Sequence, residues 1–373
     1  MKTLVSTNLS LLQQESLDLL LTYQSPSGAF VAGPQFSQYN YCWMRDSSYI
    51  AYSLLLYGQQ EATHRFINWA MAVLLRNEEK ILALPELLEQ NPKLDNHRFL
   101  GARFTLAGEE DTSDWPNFQP DGYGTLLWLA AKYLEQKQET KLPQAWEKPV
   151  SLAIKYIETV WKLPSSDCWE EFHDKQHLST LACLAGGLQS IFLYLKPSDK
   201  QRAIILAQAI RLFIEEQKNP LGFFPKFIGT SLVDASLIWL STPYGVFNQD
   251  DPSMKKTIRL IEEQLLHQGG TQRYAEDTYY GGGLWIPLSG FLGWHYLRSG
   301  RVGEARKLLA WMVAQRTEQG SFPEQVTAFT NDPSMIDVWE RRWGTIASPL
   351  LWSHAMFLIL DFEIMQYNEK GEW

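Results

Sequence analysis

Cysteine is scarce in this 373-residue chain. Cys42, Cys168 and Cys183 are an odd number, with no Cys-x-x-Cys spacing and no matching histidine pair. That excludes a disulfide framework and a zinc site, and each cysteine reads as a small apolar filler. No metal and no cofactor are expected. Runs of positive charge are also missing. The formal net charge is −9, the pI is near 5.4, and no Lys/Arg block is long enough to follow a phosphate backbone, so nucleic acid is not an expected partner. Long apolar runs are absent too. The longest, "PLLWSHAMFLIL", is interrupted and falls short of the ~20 residues a spanning helix needs. The start, "MKTLVSTNLSLLQQESLDLLL", has no apolar signal region or small-residue cleavage site. The expectation is a soluble, cytoplasmic protein with no membrane partner.

Aromatic residues are abundant instead. They make up 13% of the chain, with 15 tryptophans, many beside Gly, Pro, Asp or Glu in "SDWPNFQPDG", "DCWEEF", "GGGLWIP" and "DVWERRWG". A loop tryptophan among carboxylates suits a sugar, whose apolar face lies on the ring while its hydroxyls meet polar groups at the edge.

Sustained two-residue alternation is nearly absent, whereas apolar residues at i, i+3, i+4 spacing mark about a dozen helical segments. These run from Thr7 to Tyr23, Asp46 to Tyr57, Glu61 to Leu75, Gly122 to Gln136, Gln144 to Trp161 and His177 to Leu195. The second half gives Asp199 to Gln217, Ser231 to Leu240, Ser253 to His267, Leu284 to Arg298, Val302 to Arg316 and Ile346 to Gln366. Short links such as "YGQQ", "KPSD" and "RSGR" alternate with long ones that carry most of the Trp, Gly and charged clusters. The pattern is all-α and suits a closed ring of helix pairs with functional loops at one end. No composition break or linker divides the chain, so residues 1–373 are read as one domain. "GAFVAG", "ARFTLAG" and "GFFPKF" are short enough to be loop hairpins.

In "YNYCWMRDSSYIAYSLLLYG", Arg45 and Asp46 stand side by side at the foot of a helix. The pair is either a helix cap with a charged neighbour or half of a binding site. Glu170 lies between Trp169 and Glu171, where aromatic cover and a like charge favour the protonated form, although a solvated acidic pair is the commoner reading of the dipeptide alone. Glu324 follows a Gly-Ser-Phe-Pro turn that would hold a carboxylate out into a cleft.

"YNYCWMRD", "WPNFQPDGYG", "DCWEEF", "QRYAEDTYYGGGLW" and "GSFPEQ", followed by "PLLWSHA", come in that order over nearly the whole chain. They resemble the consecutive signature segments of glucoamylases and their glucodextranase and trehalase relatives in family 15 of the glycoside hydrolases. The resemblance implies the (α/α)6 barrel, with Glu170 as general acid and Glu324 as general base. It further implies that Tyr39 helps hold the attacking water, that Arg45, Asp46 and Arg273 grip the terminal sugar, and that Trp43 covers its face. Trp115, Trp169 and Trp285 would line the pocket and Glu171 would contact the second sugar. Core packing stays open for Trp285, and an ion pair with Glu276 or Asp277 for Arg273. Asp121 reads as a helix cap, and His177, His295 and His354 as structural.

The chain starts at the first barrel helix, without the β-sandwich that precedes the barrel in prokaryotic glucoamylases, and shows no starch-binding module. The expected lack of that module argues against raw granules and for soluble oligosaccharides or glycogen ends as substrate, while the lean loops, where such enzymes build sites beyond the first two sugars, leave the chain-length preference open. The implied function is an inverting exo-acting α-glucosidase of glucan 1,4-alpha-glucosidase type. It would release β-glucose from non-reducing ends, with the α-1,6 and trehalose linkages left open. A glucan-sensing or regulatory barrel without turnover is the alternative from another class.

Overall fold

A computed structural model describes residues 10–370 of the protein. Thr7 to Leu9 of the first expected helix lie outside the described residues. Helix α1 (Leu11–Thr22) starts at Ser10, whose hydroxyl accepts from the amide of Gln13 while the Gln13 side chain reaches back to the Ser10 amide. Twelve more α-helices follow: α2 (Met44–Leu56), α3 (Gln60–Arg76), α4 (Glu78–Gln90), α5 (Asp121–Gln136), α6 (Gln144–Val160), α7 (Leu178–Ile191), α8 (Pro197–Glu216), α9 (Pro252–Leu265), α10 (Ile286–Arg298), α11 (Val302–Ala314), α12 (Ser334–Trp343) and α13 (Leu351–Lys370).

Burial sorts these helices into two rings. Every residue of α2 from Met44 to Leu55 and of α10 from Ile286 to Leu297 is buried, as an inner helix requires. Helix α8 buries only Ala203, Leu206, Ala207, Ile210 and Ile214, one stripe at helical spacing. The inner ring runs α2, α5, α7, a 3-10 turn at Ala235–Leu240, α10 and α13, and α13 packs back on α2 to close it. Helices α1, α3, α6, α8, α9 and α11 form the outer ring, giving the (α/α)6 barrel. Helices α5 and α7 approach so closely that a methyl group at Gly124 would collide with the Cys183 carbonyl, and one at Gly187 with the Gly124 carbonyl.

Periodicity misses two helices. Pro85 sits inside α4, where it removes one helical hydrogen bond and hides the repeat, and only Ile81 and Leu84 of that helix are buried. Helix α12 buries nothing fully: its apolar face of Ile336, Trp339 and Trp343 is only half-buried, with the two tryptophans packed on the cluster of Phe36 and Tyr280, and it is interleaved with charged residues. The segment expected at Ser231 to Leu240 is helical only as the 3-10 turn. The short strands are loop features. Cys42–Trp43 pairs antiparallel with Arg103–Phe104, and Leu266–His267, Gly270–Thr271, Leu284–Trp285 and Gln325–Val326 form a small sheet in that order. Of the hairpin expectations, "ARFTLAG" supplies Arg103–Phe104, and "GAFVAG" and "GFFPKF" supply single bridges at Phe30 and Phe227. Among the described residues, no helix is long and apolar enough to cross a membrane.

Candidate active site

The long connections each lead from an outer helix into the next inner one, so the inner helices present their N-terminal ends to a shared cavity of about 260 Å³. Each of the eleven residues singled out in the sequence lines it: Tyr39, Trp43, Arg45, Asp46, Trp115, Trp169, Glu170, Glu171, Arg273, Trp285 and Glu324. Trp285 is at once pocket wall and buried, and it stacks obliquely on Trp169 at 5.3 Å.

The Arg45–Asp46 pair does not cap α2. That helix begins at Met44 with Trp43 as its cap residue and no side-chain cap bond, which places Asp46 inside the first turn. Arg45 donates from Nη1 to Asp121 at 2.8 Å and to Gln119 Oε1 at 3.1 Å. Asp121, expected as a cap, is instead a fully buried partner of Arg45, and α5 takes Pro120 as its cap residue. Arg45 Nε and Asp46 Oδ2 are buried without a hydrogen-bond partner, 3.5 Å apart. One donor and one acceptor are thus left for adjacent hydroxyls. Burial pushes the Asp46 carboxyl up to about 6, against the opposing pull of Arg45.

Glu170 is half-buried and sits at φ 69°, a left-handed conformation that a non-glycine residue adopts at a cost. Its Oε1 accepts from Trp43 Nε1 at 2.9 Å and from Gln119 Nε2 at 3.3 Å. Glu171 points the other way, accepting from Tyr274 at 2.6 Å and from Arg273 at 3.2 Å. Arg273 also pairs with Asp277, so the expected ion pair and the pocket position coexist.

Glu324 lies just before the strand Gln325–Val326, and its amide donates to Ala347 while its carbonyl accepts from Ile286. The turn ahead of it is pinned by α13: Ser353 donates to the Pro323 carbonyl at 2.7 Å, and the Phe322 amide donates to His354 Nε2 at 3.0 Å. Tyr39 donates to Glu324 Oε1 at 2.8 Å and shares a 3.0 Å hydrogen bond with Tyr279, while Glu324 Oε2 is buried without a partner. Burial pushes the Glu324 carboxyl up to about 8. The Tyr39 hydrogen bond and the Arg273 cation pull it down, and Asp46 and Glu170 push it further up.

Sequence reasoning did not single out Gln119, Tyr279, Trp339, Arg342, Trp343 or Trp352. Gln119 bridges Arg45 to Glu170. Trp343 faces Trp115 at 6.1 Å across the mouth, and the Arg103 guanidinium stacks 3.7 Å from the Trp115 ring. The tryptophans of "DVWERRWG" were the available signal for α12. Gln119 had none, because its role depends on two partners far away in the chain. His177, His295 and His354 are buried and hydrogen-bonded outside the cavity. Among the described residues, no three His, Cys, Asp or Glu side chains form a metal-binding group.

The family model for glycosyl hydrolases family 15 matches residues 6–361. An isomaltose glucohydrolase of Kribbella flavida is 33% identical over 95% of this chain and 92% of its own length. A trehalase of Thermoplasma acidophilum is 24% identical over 87% of this chain but only 59% of its own length. Among solved structures, a glycosidase variant in complex with glucose superposes with a TM-score of 0.91, at 32% identity over 95% of this chain and 96% of that one.

Proposed function

Because the chain belongs to family 15 of the glycosyl hydrolases, we propose that it is an inverting, exo-acting α-glucoside hydrolase, the whole chain serving as one catalytic unit, with isomaltose and similarly short α-1,6-linked glucosides as its substrates. The carrying observation is one cavity that holds two carboxyl groups from different loops, with the unpartnered Arg45 Nε and Asp46 Oδ2 beside them. A glycoside hydrolase needs such a pair. The isomaltose glucohydrolase relative, similar along nearly its full length, moves the substrate away from long 1,4-linked glucan ends. The Trp115–Trp343 contact, which narrows the mouth, supports short substrates.

In the proposed reaction Glu170 gives its proton to the glycosidic oxygen as the C1–O bond breaks and its electron pair passes to that oxygen. Water attacks C1 from the opposite face and loses its proton to Glu324, so an α-linked substrate yields β-glucose. The acceptor must be ionised. The Tyr39 hydrogen bond and the Arg273 cation favour that form against burial, and a water donating into the unpartnered Oε2 adds to them. Arg45, Asp46 and Arg273 would hold the terminal sugar, Trp43 would cover it, and Glu171 would reach the second sugar.

The trehalase relative supports a second reading, trehalose as substrate. The test is glucose release from isomaltose, maltose, maltotriose, trehalose and soluble starch, with the first anomer followed by proton NMR. Isomaltose should be cleaved fastest, giving β-glucose first. Initial α-glucose would overturn Glu324 as base. Absence of glucose from every substrate would favour the glucan-sensing alternative.

A further inference from the structure

The loop that presents Glu170 is built over a buried ion cluster. Asp167 Oδ1 accepts from the amides of Trp169 at 3.0 Å and Glu171 at 2.9 Å, while the Asp167 carbonyl accepts from the Glu170 amide at 3.0 Å. These bonds wrap residues 167–171 into a tight turn whose apex is the left-handed Glu170. Beneath it, Lys226 Nζ lies 3.0 Å from Asp167 and is hydrogen-bonded to Asp234. Asp234 in turn accepts from the indole of Trp169 at 2.9 Å and from the Ser236 amide at 2.8 Å. The three charged side chains are each no more than 2% exposed. Burial alone would push Lys226 down, but Asp167 and Asp234 outweigh it and hold the ammonium above the usual lysine range. The ammonium also sits 4.1 Å from the Tyr274 ring, whose hydroxyl donates to Glu171.

We propose that Lys226 is a positioning residue that locks the 167–171 turn through Asp167 and Asp234, aiming Glu170 at the leaving oxygen and Trp169 and Glu171 at the sugar. No atom of Lys226 lines the cavity, so its action passes through the turn. Two buried carboxylates share one ammonium and keep one net negative charge, which is offset by the indole, hydroxyl and amide donors to Asp234 and the two amides donating to Asp167 Oδ1. The strained φ of Glu170 persists because the bonds on both sides of it fix the backbone. This inference rests on reading Glu170 as the general acid.

The test uses Asp167→Ala, which removes the clamp on the turn and leaves Lys226 neutralised by Asp234, and Lys226→Met as the direct variant. Two substrates are compared: the disaccharide that the wild type cleaves fastest, and 2,4-dinitrophenyl α-glucoside, whose leaving group needs no proton. Misaiming the acid should lower kcat on the disaccharide by about 10²-fold, the low end of a general-acid contribution, and on the activated glucoside by less than about fivefold. The indole N–H resonance of Trp43, which donates to Glu170, should shift in both variants and is assigned with Trp43→Phe. Equal losses on the two substrates, or an unmoved Trp43 resonance in a folded Asp167→Ala protein, would overturn the proposal. If Lys226→Met does not fold, Asp167→Ala still decides. A wild type that cleaves no α-glucoside sinks the functional reading, while the Trp43 resonance still judges the positioning.

Discussion

Tyr39 donates a 2.8 Å hydrogen bond to Glu324 across 285 residues of sequence, and its oxygen is shared at 3.0 Å with Tyr279. A donor aimed at a carboxylate favours the charged form, so this contact works against the burial that pushes Glu324 up. Tyr39→Phe should therefore raise the Glu324 pKa further and move the acidic limb of kcat/KM to higher pH. That limb reports the free enzyme's base. In the wild type it should already lie above the ordinary carboxylate range. A pH–rate profile from pH 4 to pH 9 checks both statements, and a limb unmoved by the substitution would count against Glu324 as the base.

Arg45 and Asp46 should separate by what each variant loses. Arg45→Met strands the buried Asp121 carboxylate, and breaking such a pair costs about 3–5 kcal/mol, so denaturant unfolding should shift strongly. Asp46→Asn keeps the shape and leaves no ion partner as deeply committed. Its stability should change by less than about 1 kcal/mol, while activity collapses equally on substrates of every length. Losses confined to longer substrates would move Asp46 to an outer site.

The barrel was legible because an inner helix and an outer helix carry different apolar patterns, and most of those patterns show plainly in the chain. Helix α4 stayed hidden behind Pro85, and α12 because its short, half-buried apolar face is interrupted by a run of charged residues. Cavity-lining residues were legible where they sit in a compact motif, as with Glu170 or Arg273. Asp121 was misread because a carboxylate at a helix start has a local explanation, and its actual partner, Arg45, lies 76 residues away. Gln119 and Lys226 act only through distant contacts, which no spacing encodes.

The mouth of the cavity gives a prediction about substrate length. Trp343 on α12 meets Trp115 at 6.1 Å, and Trp115 is braced by Arg103 and by Trp43. Trp343→Ala should open that side and raise kcat/KM for maltotriose relative to isomaltose by about threefold to tenfold, on the order of 1 kcal/mol. Trp343 is only half-buried, so the loss of folding stability should stay below the ~3–5 kcal/mol of a core Trp→Ala change. Steady-state kinetics on the two sugars decide it, and an unchanged ratio would remove α12 from the determinants of chain length.

Glu324 should also leave a mark on stability. Its folded-state carboxyl, pushed up to about 8 from an ordinary 4.5, binds a proton more tightly than the unfolded chain does. The contribution is therefore full below about pH 4.5 and is lost as pH rises through about 8, amounting to roughly 4–5 kcal/mol. Glu324→Gln cannot ionise and escapes that loss. Asp46, raised to about 6, titrates in the same direction, but it is present in both proteins and largely cancels in their difference. The unfolding free energies of variant and parent should lie close together at pH 5 and diverge toward pH 9, with the variant more stable and nearly inactive. Urea melts at four pH values measure the divergence. Parallel curves would mean that Glu324 ionises in the folded protein as freely as in water, and the account of its buried carboxyl would then fail.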